Sequence, residues 1–218
     1  HDDPRWLPGG HNLNRLNYEF LLDKVLSNSW LGLVLKPKKP SDLRSRLGPI
    51  VGMLELAQKT GRCIILEGGT LKNPHPPAIA ALASDIAISR YTYGGTAGFE
   101  SALSGTPTLS LNQEGWPYSK LHELGEDRVV FNNWNDLWYA CKNYFDHNCK
   151  INGFGDWSPI LNELDPFRDG KAAERIGTYL NWLLNGFKEE RSRESILADA
   201  AQRYTETWGV DKISAVNC

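Results

Sequence analysis

The sequence has no apolar run near the ~20 residues that a membrane-spanning helix needs; its apolar segments, such as 31–35 and 63–66, are strand-sized. It has no excess of one charge. Twenty-four Lys and Arg against 26 Asp and Glu leave a formal net charge of −2, which speaks against a nucleic-acid partner and leaves room only for local anion contacts. Cysteine is scarce. Cys63, Cys141, Cys149 and Cys218 form no CxxC pair, and their spacings argue against a zinc site and a disulfide framework. Cys63 opens an apolar segment and reads as a small buried hydrophobe; a reducing, cytoplasmic setting is expected. Neither a repeat nor a low-complexity tract is present. The chain begins His1-Asp2-Asp3-Pro4 without an initiator Met or a signal-like stretch and stops at Cys218. The expectation is an excised domain, or the remainder of a longer protein.

What is there is the composition of a globular chain. The 218 residues are 41% hydrophobic and 23% charged, enough for one large domain, or one domain with an appendage. Residues 1–30 read as an extended lead-in and a helix over 13–26, where Leu13, Leu16, Phe20, Leu21 and Val25 recur with helical spacing. Over 31–145 short apolar strands alternate with helices. Strands are expected at 31–35, 62–66, 85–89, 108–111 and 128–131, and helices at 43–59, 77–82, 99–103, 119–124 and 137–145. Most of these strands are continuously apolar, as parallel strands covered on both faces are. The fold class expected is α/β, a doubly wound parallel sheet with a C-terminal helical tail. Residues 146–218 read as a loop to 170, then helices over 172–187 and 192–207.

Ligands of open parallel sheets bind beyond the carboxyl ends of the strands. Lys36, Glu67, His75, Arg90 and the run Gly94-Gly95-Thr96-Ala97-Gly98-Phe99-Glu100 follow successive strands. Gly94 and Gly95 lack a Cβ and let the backbone approach a ligand closely. Thr96 suits a helix cap, and a helix start suits a phosphate. Glu100, about one turn in, suits a ribose diol, since a carboxylate accepts from two adjacent hydroxyls. A tight turn explains Gly94-Gly95 equally well when taken alone; Thr96 and Glu100 in register favour the ligand.

The stretch from Asp85 through Gly94-Gly95-Thr96-Ala97, Glu100 and Gly105-Thr106-Pro107 resembles the donor-site signature of GT-B glycosyltransferases, which sugar-nucleotide epimerases share. Asp165-Pro166-Phe167-Arg168-Asp169-Gly170-Lys171 is similar to tails of bacterial surface-polysaccharide biosynthesis proteins. The resemblance covers about 31–145. It implies a Rossmann-like donor half, with Gly94, Gly95, Thr96 and Ala97 on phosphate, Glu100 on ribose, and Lys36 and Arg90 as cations facing the leaving phosphate. Glu67 and His75 are the candidate catalytic groups. It further implies a nucleotide-sugar donor as substrate, a glycan acceptor, no cofactor, no metal, and an N-terminal acceptor domain outside this chain.

The chain departs from the retaining families that carry an acid separated from the ribose Glu by seven intervening residues: Thr92 stands there. Several alternatives stay open. Lys36, with Lys38 and Lys39, also fits a solvated loop, Arg90 an ordinary surface residue, and His75 an inert loop residue between prolines. Glu67 fits an ion pair with Arg90 or Lys36. Asp169 fits a cap of the tail helix, or closure of the cleft with Asp165 and Arg168. Trp116, Trp134 and Trp157 fall in loops where they suit stacking on a sugar or base, whereas Trp138 and Trp182 suit a core. An epimerase or hydrolase of sugar nucleotides, and a non-catalytic scaffold, are the rival functions.

Overall fold

The computed structural model describes residues 10–67, 75–90, 96–113, 115–125 and 127–212. Two compact units divide the chain, His1–Ile160 and Leu161–Cys218.

The first unit is α/β with parallel strands. Helix α1 (Gly10–Ser27) leads into β1 (Leu33–Leu35), α2 (Pro40–Leu47), α3 (Val51–Lys59), β2 (Cys63–Ile65) and α4 (Pro77–Leu82). β3 (Ala87–Ser89), α5 (Thr96–Leu103), β4 (Thr108–Leu111), β5 (Val130–Phe131) and α6 (Trp134–Asp146) follow. β1 and β2 pair in parallel, Leu33 against Cys63 and Leu35 against Ile65. β3, β4 and β5 form a second parallel sheet in that order, with Ala87 against Thr108 and Ser110 against Val130.

Each sheet has its own apolar core. Leu22 and Val25 of α1, Leu35, Leu43, Leu47, Leu54, Ala57 and Cys63 bury together around β1 and β2. Leu109, Leu111, Phe131, Leu137, Cys141, Tyr144 and Phe154 bury around β4, β5 and α6. Burying each large side chain of this kind contributes ~1.5–3 kcal/mol. Cys63 is the small core residue its sequence context suggests; burial pushes its thiol up, and that of Cys141 to about 12.

Arg62 fixes α1 to this frame. Its guanidinium donates to the carbonyls of Val25, Asn28 and Leu31 at 2.6, 2.7 and 2.9 Å. A cation there satisfies orphan carbonyls at the end of a helix and meets the negative end of its dipole.

Three elements differ from the sequence reading. The helix expected over 43–59 is two, because Gly48 takes φ +54° and Pro49 has no N–H to continue the ladder. The stretch read as a loop from 146 carries α7 (Ser158–Leu164), and its first part is built into the sheet. Thr108 donates its N–H to the Gly155 carbonyl at 2.9 Å, and Gly155 donates to Arg128 at 2.9 Å. Gly155 sits at φ +63°, where a Cβ would come within 2.6 Å of the Thr108 nitrogen. The compact unit therefore runs past 145 to Ile160.

The second unit contains α8 (Ala172–Lys188) and α9 (Arg193–Trp208). Gly186 lets them pack closely, since a Cβ there would lie 2.7 Å from Ile196 Cγ1. Trp182 stacks on Trp208, and Tyr179 and Tyr204 meet these rings and each other edge-on. Ser192 caps α9 by accepting from the Ser195 N–H. Among the described residues no helix is long and apolar enough to cross a membrane.

Candidate functional site

The carboxyl end of β1 leads directly to Lys36. It is half-buried, and its ammonium has no partner among the described residues. Lys38 and Lys39 beside it are exposed. Glu67 lies two residues beyond β2 and is exposed. An open hollow of about 480 Å³ is lined by Pro40, Ser41, Arg44 and Glu67. Arg44 is engaged at its guanidinium, with Glu55 at 3.0 Å and Gln58 at 3.2 Å.

Glu67 and His75 come together, but through the backbone. His75 donates from Nδ1 to the Glu67 carbonyl at 3.0 Å. In the neutral ring that bond places the proton on Nδ1 and leaves Nε2 as the acceptor. The Glu67 carboxylate is not part of this contact, so the two do not form a carboxylate–imidazole relay.

β3 leads to Arg90. Its guanidinium donates to Asn14 of α1, so it is neither a free surface cation nor paired with Glu67. Gly94 and Gly95 lie outside the described residues. Thr96 and Ala97 are exposed and form the first turn of α5. Glu100 is half-buried one turn in, and its carboxylate has no described partner. Gly98 holds this helix start close to the strand: a Cβ there would lie 2.9 Å from Ser89 Cβ and 3.2 Å from the Trp157 ring.

Beyond β4 and β5 the strand ends are finished in amides. Asn17 of α1 is buried and exchanges hydrogen bonds with Gln113, Nδ2 to Oε1 at 2.9 Å and Nε2 to Oδ1 at 3.0 Å. The Trp134 indole donates to the same Asn17 oxygen at 2.7 Å, and its ring stacks on Phe20 at 5.0 Å. Asn112 donates to Asn132 at 3.3 Å. α1 thus crosses the carboxyl ends of β3, β4 and β5, with Asn14, Asn17 and Phe20 as its contacts.

Two tryptophans expected to face a ligand are structural. Trp134 belongs to the first turn of α6, behind the Asn133 cap, and is tied to α1. Trp157 is 5% exposed and donates to the Thr108 carbonyl at 2.9 Å. Trp116 is the exposed one, packed edge-on against Tyr118. In the second unit Asp169 accepts from both ends of the Arg175 guanidinium and from the Lys171 N–H. These donors hold its carboxyl down to about 2. Arg168 donates to Asp165 and Asn162. Among the described residues no group of three His, Cys, Asp or Glu is placed to hold a metal ion.

Sequence reasoning missed Asn14, Asn17, Gln113 and the packing role of Gly98. A signal was present for α1. Asn12, Asn14 and Asn17 are poor helix formers inside one helix, and Asn14 and Asn17, three apart, share a face.

No protein-family model matches the chain, and no curated protein or solved structure matches it significantly.

Proposed function

We propose that the first unit binds a nucleotide-activated sugar at the carboxyl ends of its strands, as the donor half of a GT-B glycosyltransferase. In this reading the two sheets are parts of one doubly wound sheet ordered β2-β1-β3-β4-β5. The reversal between β1 and β3 is then the switch point where such sheets bind ligands. α1 supports that order, because Leu22 and Val25 bury with Leu35 of β1 while Asn14 reaches Arg90 just past β3.

The observation that carries the reading is Glu100. Glu100 is half-buried one turn into the helix after β3, and its carboxylate has no hydrogen-bond or ion-pair partner among the described residues, so acceptor capacity is left for a ligand. A ribose diol would supply two donors. Lys36, equally without a described partner, would face the donor phosphates together with Arg90. Transfer would proceed by attack of an acceptor hydroxyl on the anomeric carbon. The acceptor gives up its proton, and the nucleoside diphosphate leaves with charge stabilised by these cations. Glu67 or the free Nε2 of His75 is the proton acceptor in this scheme. The acceptor, a glycan, would be held by a further domain.

Ribose recognition makes the test specific. Binding of UDP and 2′-deoxy-UDP, or the matching GDP pair, is measured by calorimetry on the protein and on Glu100→Gln. The reading expects the ribonucleotide to bind at least about tenfold more tightly, the worth of a hydrogen bond to a charged group, and Glu100→Gln to remove most of that preference. Equal affinity for ribo and deoxy forms in the unmodified protein would overturn Glu100's role.

A further inference from the structure

We infer that the second unit pairs with a second copy of this chain through an apolar row on α8, in an antiparallel arrangement that sets Glu174 of each copy against Lys188 of the other. The inference is independent of the nucleotide reading.

α8 is apolar on two faces. One face meets α9: Gly186 sits against Ile196, Trp182 stacks on Trp208, and Tyr179 meets Tyr204 edge-on. Ile176, Leu180, Leu184 and Phe187 lie roughly a third of a turn around the helix from these residues. Their spacing places them in one row along the helix. Each is more than half exposed, and no charged side chain interrupts the row. It runs for about 17 Å. A contiguous apolar surface of this kind marks an interaction site.

Charge decides the occupant. Glu174 and Lys188 are exposed, and neither has a hydrogen-bond or ion-pair partner among the described residues. Both fall on the flank of the row that is turned away from α9. The midpoints of Glu174 and Lys188, of Ile176 and Phe187, and of Leu180 and Leu184 all fall at residues 181–182. A single two-fold axis there therefore opposes Ile176 to Phe187 and Leu180 to Leu184 across the pair. It also brings each Glu174 to the other copy's Lys188, twice by symmetry. A two-fold contact needs a self-complementary surface of this sort. A lipid surface would favour a polar face rich in Lys and Arg, whereas this flank carries Glu174, Asn181 and Asn185 with Lys188. One helix row per copy buries less than about 1,200 Å² in total, so dimerisation is expected with a Kd on the order of tens of micromolar.

The test is sedimentation velocity on the full chain from about 1 to 300 µM at low ionic strength, where exposed charges are least screened. A dimer that grows in with concentration is expected. Leu180→Glu, which sets carboxylates near the axis of the row, is expected to weaken it at least about tenfold. Glu174→Lys and Lys188→Glu are each expected to weaken it roughly fivefold. An equimolar mixture of these two variants is expected to regain the original affinity, because the mixed pair has opposite charges at both contacts. Circular dichroism confirms that the variants are folded. A monomer at every concentration, or a dimer that Leu180→Glu leaves intact, would overturn the proposal; a monomer that binds vesicles of mixed neutral and anionic lipid would assign the row to a membrane surface instead. Charge variants as tight as the unmodified chain, or a mixture that gains nothing, would overturn the antiparallel register.

Discussion

The ends of β1 and β2 and the ends of β3–β5 are finished in different chemistry. The first pair leads to Lys36 and Glu67, charged side chains without side-chain partners among the described residues, with Glu67 lining an open hollow. The second set leads to Arg90, Gln113 and Trp134, each tied to an asparagine of α1. One edge is charged and uncommitted; the other is amide-rich and closed. Charges left without partners cost the fold little only while water reaches them, whereas buried amides must be satisfied or they destabilise it. The exposed charges of the first edge are therefore expected to tolerate mutation, and the amide layer of the second is not.

The largest effect expected concerns the frame under the closed edge. Trp157→Ala removes a buried ring and its bond to Thr108, and should cost ~3–5 kcal/mol in urea unfolding. A loss under ~1 kcal/mol would return Trp157 to the ligand-facing role its loop position suggested. Next is Asn17→Ala, which leaves the half-buried Gln113 amide and Trp134 indole without their shared partner; about 1–3 kcal/mol is expected, by the same measurement. Lys36→Ala should change stability by no more than ~0.5 kcal/mol while weakening nucleotide binding. A large stability loss there would erase the contrast between the edges. The smallest effect is Asp169→Asn in the second unit. The lowered carboxyl, near 2 in the fold, contributes stability above about pH 4, its unfolded range, that is lost as pH falls through 2. Thermal melts between pH 5 and 2 should show a shallower acid loss for Asp169→Asn, by a margin kept small by solvent screening.

Much of this was readable from residue patterns. The apolar run at 63–65 marked a parallel strand by its continuity, although Ile64 is 57% exposed in the fold, whereas Thr108-Leu109-Ser110-Leu111 alternates and is buried throughout. Pro77 at a helix start and Gly105 after α5 set boundaries by backbone rules. The Gly48-Pro49 break was readable by the same rules but lost in a long apolar pattern. The positions of Lys36, Glu67, Arg90 and Glu100 after strands followed from topology. The amide layer did not, because Asn17 and Gln113 are 96 residues apart, and nothing in local sequence pairs two amides at that distance. Trp157 was misjudged for the same reason: its partner, Thr108, is 49 residues away.

The most direct measurement is a thermal-shift panel of UDP, GDP, CMP and dTDP with their sugar conjugates on the unmodified chain and on Glu100→Gln. A ligand at ~100 times its Kd adds ~2.7 kcal/mol, roughly 5–10 °C for a chain of this size. The account predicts that one ribonucleotide class gives such a shift, that dTDP does not, and that Glu100→Gln loses most of it. No shift with any nucleotide, or a shift that Glu100→Gln retains in full, would contradict it.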